Sequence, residues 1–158
     1  MTPTRERAGF TLIELVIVLT LVAILAALAM PRFIALQREA RISKTQYVQG
    51  VIKSASVLAR VRCEVDLHRG GPCTETGGHV FMEAAKVEMQ NGYPAPTSTG
   101  IDVAAQIAPS EGIVASSDVS GVRVYDVTGG STPGQCRVSY AGALPGAAPV
   151  MTLDVSGC

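Results

Sequence analysis

Gly9-Phe10-Thr11-Leu12-Ile13-Glu14 opens an apolar run, residues 10–30, in which Glu14 is the one charged side chain. At about 1.5 Å per residue, a helix of that length reaches about 32 Å, close to the roughly 30 Å hydrocarbon core of a bilayer. Ahead of the run, residues 1–9 (MTPTRERAG) carry Arg5 and Arg7 against Glu6. Basic residues just before an apolar run hold an N-terminus in the cytoplasm. An ordinary secretory signal fits less well, because its apolar region is about 7–15 residues long and ends at a small-x-small cleavage site. Ala27-Leu28-Ala29 has that form, but cleavage there leaves Met30-Pro31 at the new terminus.

GFTLIE at residues 9–14, followed by an unbroken apolar stretch and then Pro31, resembles the N-terminus of the type IV prepilin family. The resemblance implies cleavage between Gly9 and Phe10 by a prepilin peptidase at the cytoplasmic face. It also implies N-methylation of Phe10 by the same enzyme. Glu14 then lies four residues beyond the new terminus, as the family pattern requires. A carboxylate in hydrocarbon costs a few kcal/mol unless it finds a partner. In the family that partner is the terminal amine of a neighbouring subunit, and docking relieves the unpaired charge. A tolerated polar residue near one membrane edge accounts for the acid alone, but not for the motif around it.

The helix is expected to continue past the membrane. Pro31 lacks a backbone N–H and kinks or breaks most helices, though neighbours absorb such a defect inside a membrane. Beyond it, Tyr47, Val51, Ala55 and Leu58 fall at one-sided helical spacing, flanked by Val48, Ile52 and Ala59. That pattern predicts an amphipathic helix packed under a sheet. The organisation expected is a leader at 1–9, a transmembrane and filament-core helix at 10–31, an amphipathic half of the spine at 32–62, and a head at 63–158. The resemblance implies the same long helix, with local unwinding between Ala23 and Pro31 in a filament. Ala23, Ala26, Ala27 and Ala29 permit close helix approach. Charge divides along the chain too. In residues 32–62 seven bases face Glu39 alone, whereas residues 63–158 hold ten acids and four bases. Either both are solvated faces, or the basic stalk of one subunit meets the acidic head of another.

The head reads as α+β. A loop over residues 63–78 is rich in Gly and Pro, and residues 79–89 are ambiguous between helix and strand. Residues 91–96 (NGYPAP) are turn or loop. Residues 101–108 predict a short helix with Thr99 or Asp102 near its start. Three alternating strands follow, around Val122 to Val127, Cys136 to Tyr140 and Val150 to Val155, separated by GGSTPG and GALPGAAP. Successive short alternating runs predict an antiparallel meander over the helix. The fold class expected is therefore a long N-terminal helical spine, membrane-spanning in its first half, packed against a small antiparallel β-sheet head.

All four cysteines, Cys63, Cys73, Cys136 and Cys158, lie beyond the apolar run, and an even count in an exported domain predicts disulfides. Three pairings are possible. Cys63–Cys73 with Cys136–Cys158 is preferred, and the second pair resembles the C-terminal disulfide loop of type IV pilins. Cysteine with His68 or His79 lacks the spacing of a zinc site, so no metal or cofactor is expected. Ser110, Ser116, Ser117 and Ser120 near Asp118 form no GxSxG elbow, and no GxxxxGK[ST] loop occurs, so no enzyme activity is expected. The 13 bases balance 13 acids and Trp is absent, which argues against direct nucleic-acid binding.

Function is therefore expected to be assembly: a structural subunit of an adhesive or surface-sensing type IV pilus. The precursor is expected in the inner membrane with a periplasmic head, and the assembled chain in an extracellular filament. Residues 31–36 (PRFIAL), Ala40-Arg41 and residues 91–95 (NGYPA) look most like pilins of the mannose-sensitive haemagglutinin type. The alternative is a pseudopilin of a type II secretion system. The major pseudopilin usually carries a calcium site in the last loop; here Asp154 stands nearly alone. Partners implied by the resemblance are copies of the chain itself, minor pilins, the prepilin peptidase, a platform protein and an assembly ATPase. No receptor is named by the residues.

Overall fold

The computed structural model describes residues 10–107, 112–117 and 120–158. Residues 1–9, the expected leader with Gly9, lie outside these residues, as do Ala108, Ser110 and Asp118. The chain forms two compact units, Met1–Gln37 and Arg38–Cys158.

In the first unit the described residues from Leu12 onward are helical. Helix α1 (Leu12–Arg69) begins at Leu12 and carries Pro31 within it. Leu, Ile, Val and Ala fill its first part with no glycine, so propensity and apolar character agree. Pro31 removes one backbone donor, and the surrounding turns hold the helical path.

The second unit packs the rest of α1 against two antiparallel sheets, which makes the class α+β. The first sheet has the order β1-β2-β3, formed by β1 (His79–Met82), β2 (Ala85–Gln90) and β3 (Tyr93–Pro94). The second has the order β4-β5-β6-β7, formed by β4 (Ile113–Ser117), β5 (Arg123–Val127), β6 (Arg137–Ala141) and β7 (Val150–Asp154). Helix α2 (Ile101–Ala105) lies between them in sequence. The ambiguous 79–89 stretch is thus a hairpin. Its two-residue turn places Glu83 (φ 47°) and Ala84 (φ 65°) in the left-handed region, which suits the strand twist. Asn91-Gly92 makes the same kind of turn between β2 and β3, at φ 51° and 77°. Glycine suits position 92 because its backbone is left-handed there.

The core sits between α1 and the sheets. Val48, Ile52, Ala55, Ala59 and Cys63 supply the helix side, with Val80, Val87, Ile101, Tyr125, Val138 and Tyr140 opposite. The strands alternate as a half-buried sheet demands: Val138 and Tyr140 face in, while Arg137 and Ser139 are only half-buried.

Three expectations are corrected. The buried stripe of α1 is rotated from the one centred on Tyr47 and Leu58: those two are 70% and 61% exposed, whereas Val48 and Ile52 are 2% and 0% exposed. Both stripes have helical period, so spacing alone does not choose between adjacent faces. The helix also runs to Arg69 instead of ending near residue 62, so Cys63 is a helical residue and the loop is shorter. Helix α2 stops at Ala105 instead of running to 108, with Gln106 left-handed at φ 52°, while Asp102 lies in its first turn as expected.

Candidate functional site

The N-terminal end of α1 is built from Phe10, Thr11 and Glu14. Thr11 caps the helix: its Oγ1 accepts the Glu14 backbone N–H at 3.3 Å and stands 3.5 Å from Glu14 Oε2. This is the first half of a capping box, with the Thr11 side chain satisfying the Glu14 backbone N–H; the Glu14 carboxylate meets the Thr11 hydroxyl. The Thr-x-x-Glu signal was readable in the sequence and was missed there. Glu14 therefore has a local structural role. Among the described residues it forms no ion pair, so its charge is uncompensated by any base. An acid in the first turn is favoured by the helix dipole, but only by a fraction of a kcal/mol.

From that end the helix presents apolar side chains all round. Phe10 is 74% exposed, and every large apolar side chain from Leu12 to Leu36 is exposed as well. The mean hydropathy of its most apolar 18-residue window is 2.9, and the helix is long and apolar enough to cross a membrane. Pro31 lies in this same exposed stretch. A water-soluble monomer does not keep such a surface, so a bilayer or other apolar helices must cover it.

At the other end of the chain, Cys136 and Cys158 are joined by a disulfide with Cα atoms 4.8 Å apart, the pairing expected. The bridge rests on α1. Thr45 Oγ1 lies 3.4 Å from Cys136 Sγ and 3.7 Å from Cys158 Sγ, and Arg41 Nε donates to the Cys158 carbonyl at 2.6 Å. Backbone bonds complete the strap: Gly157 N–H donates to the Gln135 carbonyl and Ser131 N–H to the Gly157 carbonyl, both at 2.8 Å. A second disulfide joins Cys63 to Cys73, Cα atoms 5.3 Å apart, and pins the loop after α1 to the helix.

A buried polar cluster fixes α2 to the second sheet. Asp102 Oδ1 accepts from Arg123 Nε at 3.0 Å and from the Tyr125 hydroxyl at 2.5 Å, and Asp102 Oδ2 pairs with the other arm of Arg123. The hydrogen bond to Asp102 raises the Arg123 pKa further. Burial pushes the Tyr125 phenol well above its ordinary value, and pushes Tyr140 up to about 12. Tyr140 donates its hydroxyl to the Pro94 carbonyl at 2.8 Å. Every member of the Asp102 cluster is satisfied, which makes it a brace. Nothing in local sequence pairs Asp102 with residues more than twenty positions away.

The other candidates fall apart spatially. His68 is exposed in the last turn of α1, and His79 is on β1 with its ring edge-on to Phe81 at 5.2 Å. Among the described residues no three His, Cys, Asp or Glu side chains cluster as a metal site. Ser117 Oγ accepts from Arg123. Asp154 accepts from the Ser156 hydroxyl at 2.6 Å and backbone N–H at 3.0 Å, bonds that hold its pKa below the ordinary carboxylate value. Several bases of the spine are also taken locally: Arg60 pairs with Glu64, Arg62 with Asp66 at 3.5 Å, and Arg41 with the chain end. Arg32, Arg38 and Lys53 remain as fully exposed bases of that segment.

The N-terminal region matches the family model of the prokaryotic N-terminal methylation motif over residues 4–30. The chain is also similar to the type IV narrow pilus major component PilA5 of Thermus thermophilus, at 39% identity over 56 residues. That match covers 35% of this chain and 48% of the relative, so the chain spans about half the length of the curated relative it matches. No solved structure matches. The chain thus carries a prokaryotic N-terminal methylation motif, an exposed apolar helix behind it and an α+β head closed by the Cys136–Cys158 bridge, and over part of its length it is similar to a type IV pilus major component.

Proposed function

We propose that this chain is a structural subunit of a type IV pilus, made as an inner-membrane precursor and polymerised into an extracellular filament. The observation that carries the reading is the exposed apolar helix from Leu12 to Leu36, interrupted by one carboxylate, Glu14, that forms no ion pair among the described residues. In a bilayer such a helix is a stable anchor, and removed from lipid it must pack against other copies. A prepilin peptidase cleaves between Gly9 and Phe10 and methylates Phe10, which leaves a cationic amine one turn from the Thr11–Glu14 cap. Glu14 of an incoming subunit then pairs with the Phe10 amine of a neighbour, so that docking removes a charge from hydrocarbon. Pro31 supplies the weak point at which the helix adjusts on leaving the membrane. The heads form the outer surface, and surface adhesion rests on them. Minor pilins, a platform protein and an assembly ATPase complete the machinery.

The test is a pair of substitutions at Glu14 in cells that make the filament. Glu14→Ala removes the charge and Glu14→Asp shortens it. Loss of sheared filament in Glu14→Ala, with the chain retained in the membrane, is the expected result. Normal filaments from Glu14→Ala contradict the pairing.

A further inference from the structure

A side of α1 next to its core-facing stripe is not polar. Tyr47, Val51, Ser54, Leu58 and Val61 recur at alternating spacings of four and three, the repeat of a helix seam. Tyr47, Leu58 and Val61 are 70%, 61% and 56% exposed. Beside this seam runs a groove of about 530 Å³, floored by Val51 and Leu58 and walled by Met82 and Val103. One carboxylate, Glu83, stands at its edge in the β1–β2 turn. Its partner is a neutral one, the Gln106 amide, which donates at 2.7 Å. Among the described residues no base pairs with it. The groove is therefore apolar with one negative charge at the rim.

The same chain carries a segment of matching chemistry. Phe33, Ile34 and Leu36 are 62%, 59% and 67% exposed, just beyond the residues a bilayer core covers. Arg32 and Arg38 flank them, exposed and without an ion pair among the described residues. Arg38 lies one turn from Ile34 along the helix, so one helical face ends in a cation. Resting on the pilus reading above, we infer that the groove between α1, α2 and the β1–β2 turn seats residues 32–38 of a second copy, with Phe33 and Ile34 against Leu58 and Met82 and Arg38 against Glu83. The contact is heterologous, a groove on one copy against a spine on the next, which propagates instead of closing.

Photo-crosslinking within sheared filaments tests this. A benzoylphenylalanine placed at Leu58, and separately at Tyr47 in case the first disturbs folding, is irradiated and the adduct mapped by mass spectrometry. Adducts within residues 32–38 of a second chain are expected. In parallel, Glu83→Arg is expected to lower filament yield at least tenfold, and adding Arg38→Glu to recover it. Filaments whose adducts fall on another segment, another protein or lipid, or whose yield ignores the charge swap, overturn the contact and leave the pilus reading intact. Absence of any filament from the unsubstituted chain overturns both.

Discussion

Replacing both Cys136 and Cys158 by serine removes the closure that fastens the C-terminal strap to α1. The two cysteines are 22 positions apart, and closing a loop of that size stabilises the native state by about 3 kcal/mol through the entropy of the unfolded chain. Serine differs from cysteine by one atom, so the cavity left beside Thr45 is small and the entropic part dominates. The Arg41 bond to the Cys158 carbonyl is lost with the strap, which adds to the destabilisation, since bonds to charged donors contribute about 1.5–3 kcal/mol. A loss of this total shifts the melting midpoint of a head this size by more than about 10 °C. The assay is urea unfolding of the full chain in detergent, followed by near-ultraviolet circular dichroism of tyrosine. Trp is absent, and the fully buried Tyr125 and Tyr140 report the core. The midpoint is expected to fall and the urea dependence to steepen, because the unfolded chain expands without the bridge. A loss under about 1 kcal/mol, with an unchanged slope, refutes the reasoning, since the loop-closure term alone exceeds it.

Three further outcomes follow from the head. Ile52→Ala is expected to cost about 2–5 kcal/mol, and Leu58→Ala under about 1 kcal/mol, in the same urea assay; the reverse order contradicts the rotated face of α1, where Ile52 is fully buried and Leu58 is 61% exposed. Asp102→Ala leaves the Arg123 guanidinium buried without its carboxylate and is expected to cost about 3–5 kcal/mol, against about 1–3 kcal/mol for Tyr125→Phe; equal small losses contradict the brace. Tyr140 is held protonated by burial up to about 12 from an ordinary 10. A folded-state pKa raised in this way leaves its stabilisation complete below pH 10 and removes it as pH rises toward 12, with a decline of about 1 kcal/mol by pH 11. Tyr140→Phe is expected to lessen the measured alkaline decline, to which the buried Tyr125 also contributes, and an equal decline in the variant contradicts the assignment.

The spine was the most legible part of the chain. A run such as residues 10–30 admits few structures other than a helix, and Glu14 within GFTLIE is conspicuous because an acid there is expensive. The last three strands were legible for a related reason: Val138 and Tyr140, or Met151 and Leu153, alternate between Gly and Pro clusters. The β1–β2 hairpin was harder. Its turn is Glu83-Ala84, which lacks the Asn-Gly signal present at Asn91-Gly92, and left-handed backbone at a glutamate and an alanine is imposed by pairing across the strands. Strand β4 was missed because Ile113 to Ser117 has one strongly apolar end and a serine pair at the other. Its assignment depends on pairing with Arg123 to Val127, which no local window contains. The rotation of the α1 stripe has the same origin. Leu58 is as apolar as Val48 and Ile52, and Tyr47 carries a large apolar ring, so only the sheet decides which face it covers. At the N-terminus, the family motif drew attention to Glu14 as a charge, and its bond geometry with Thr11 adds a second role.

On the proposed reading the chain is cut and then polymerised, and one measurement reads the first event directly. It is intact-mass and N-terminal analysis of the chain in material sheared from the surface of cells that make it. The mature chain is expected to begin at Phe10, carrying one methyl group there, with both disulfides closed. A chain recovered from cells still beginning at Met1, with Phe10 unmethylated, contradicts the pilus reading and leaves a membrane-anchored head in its place.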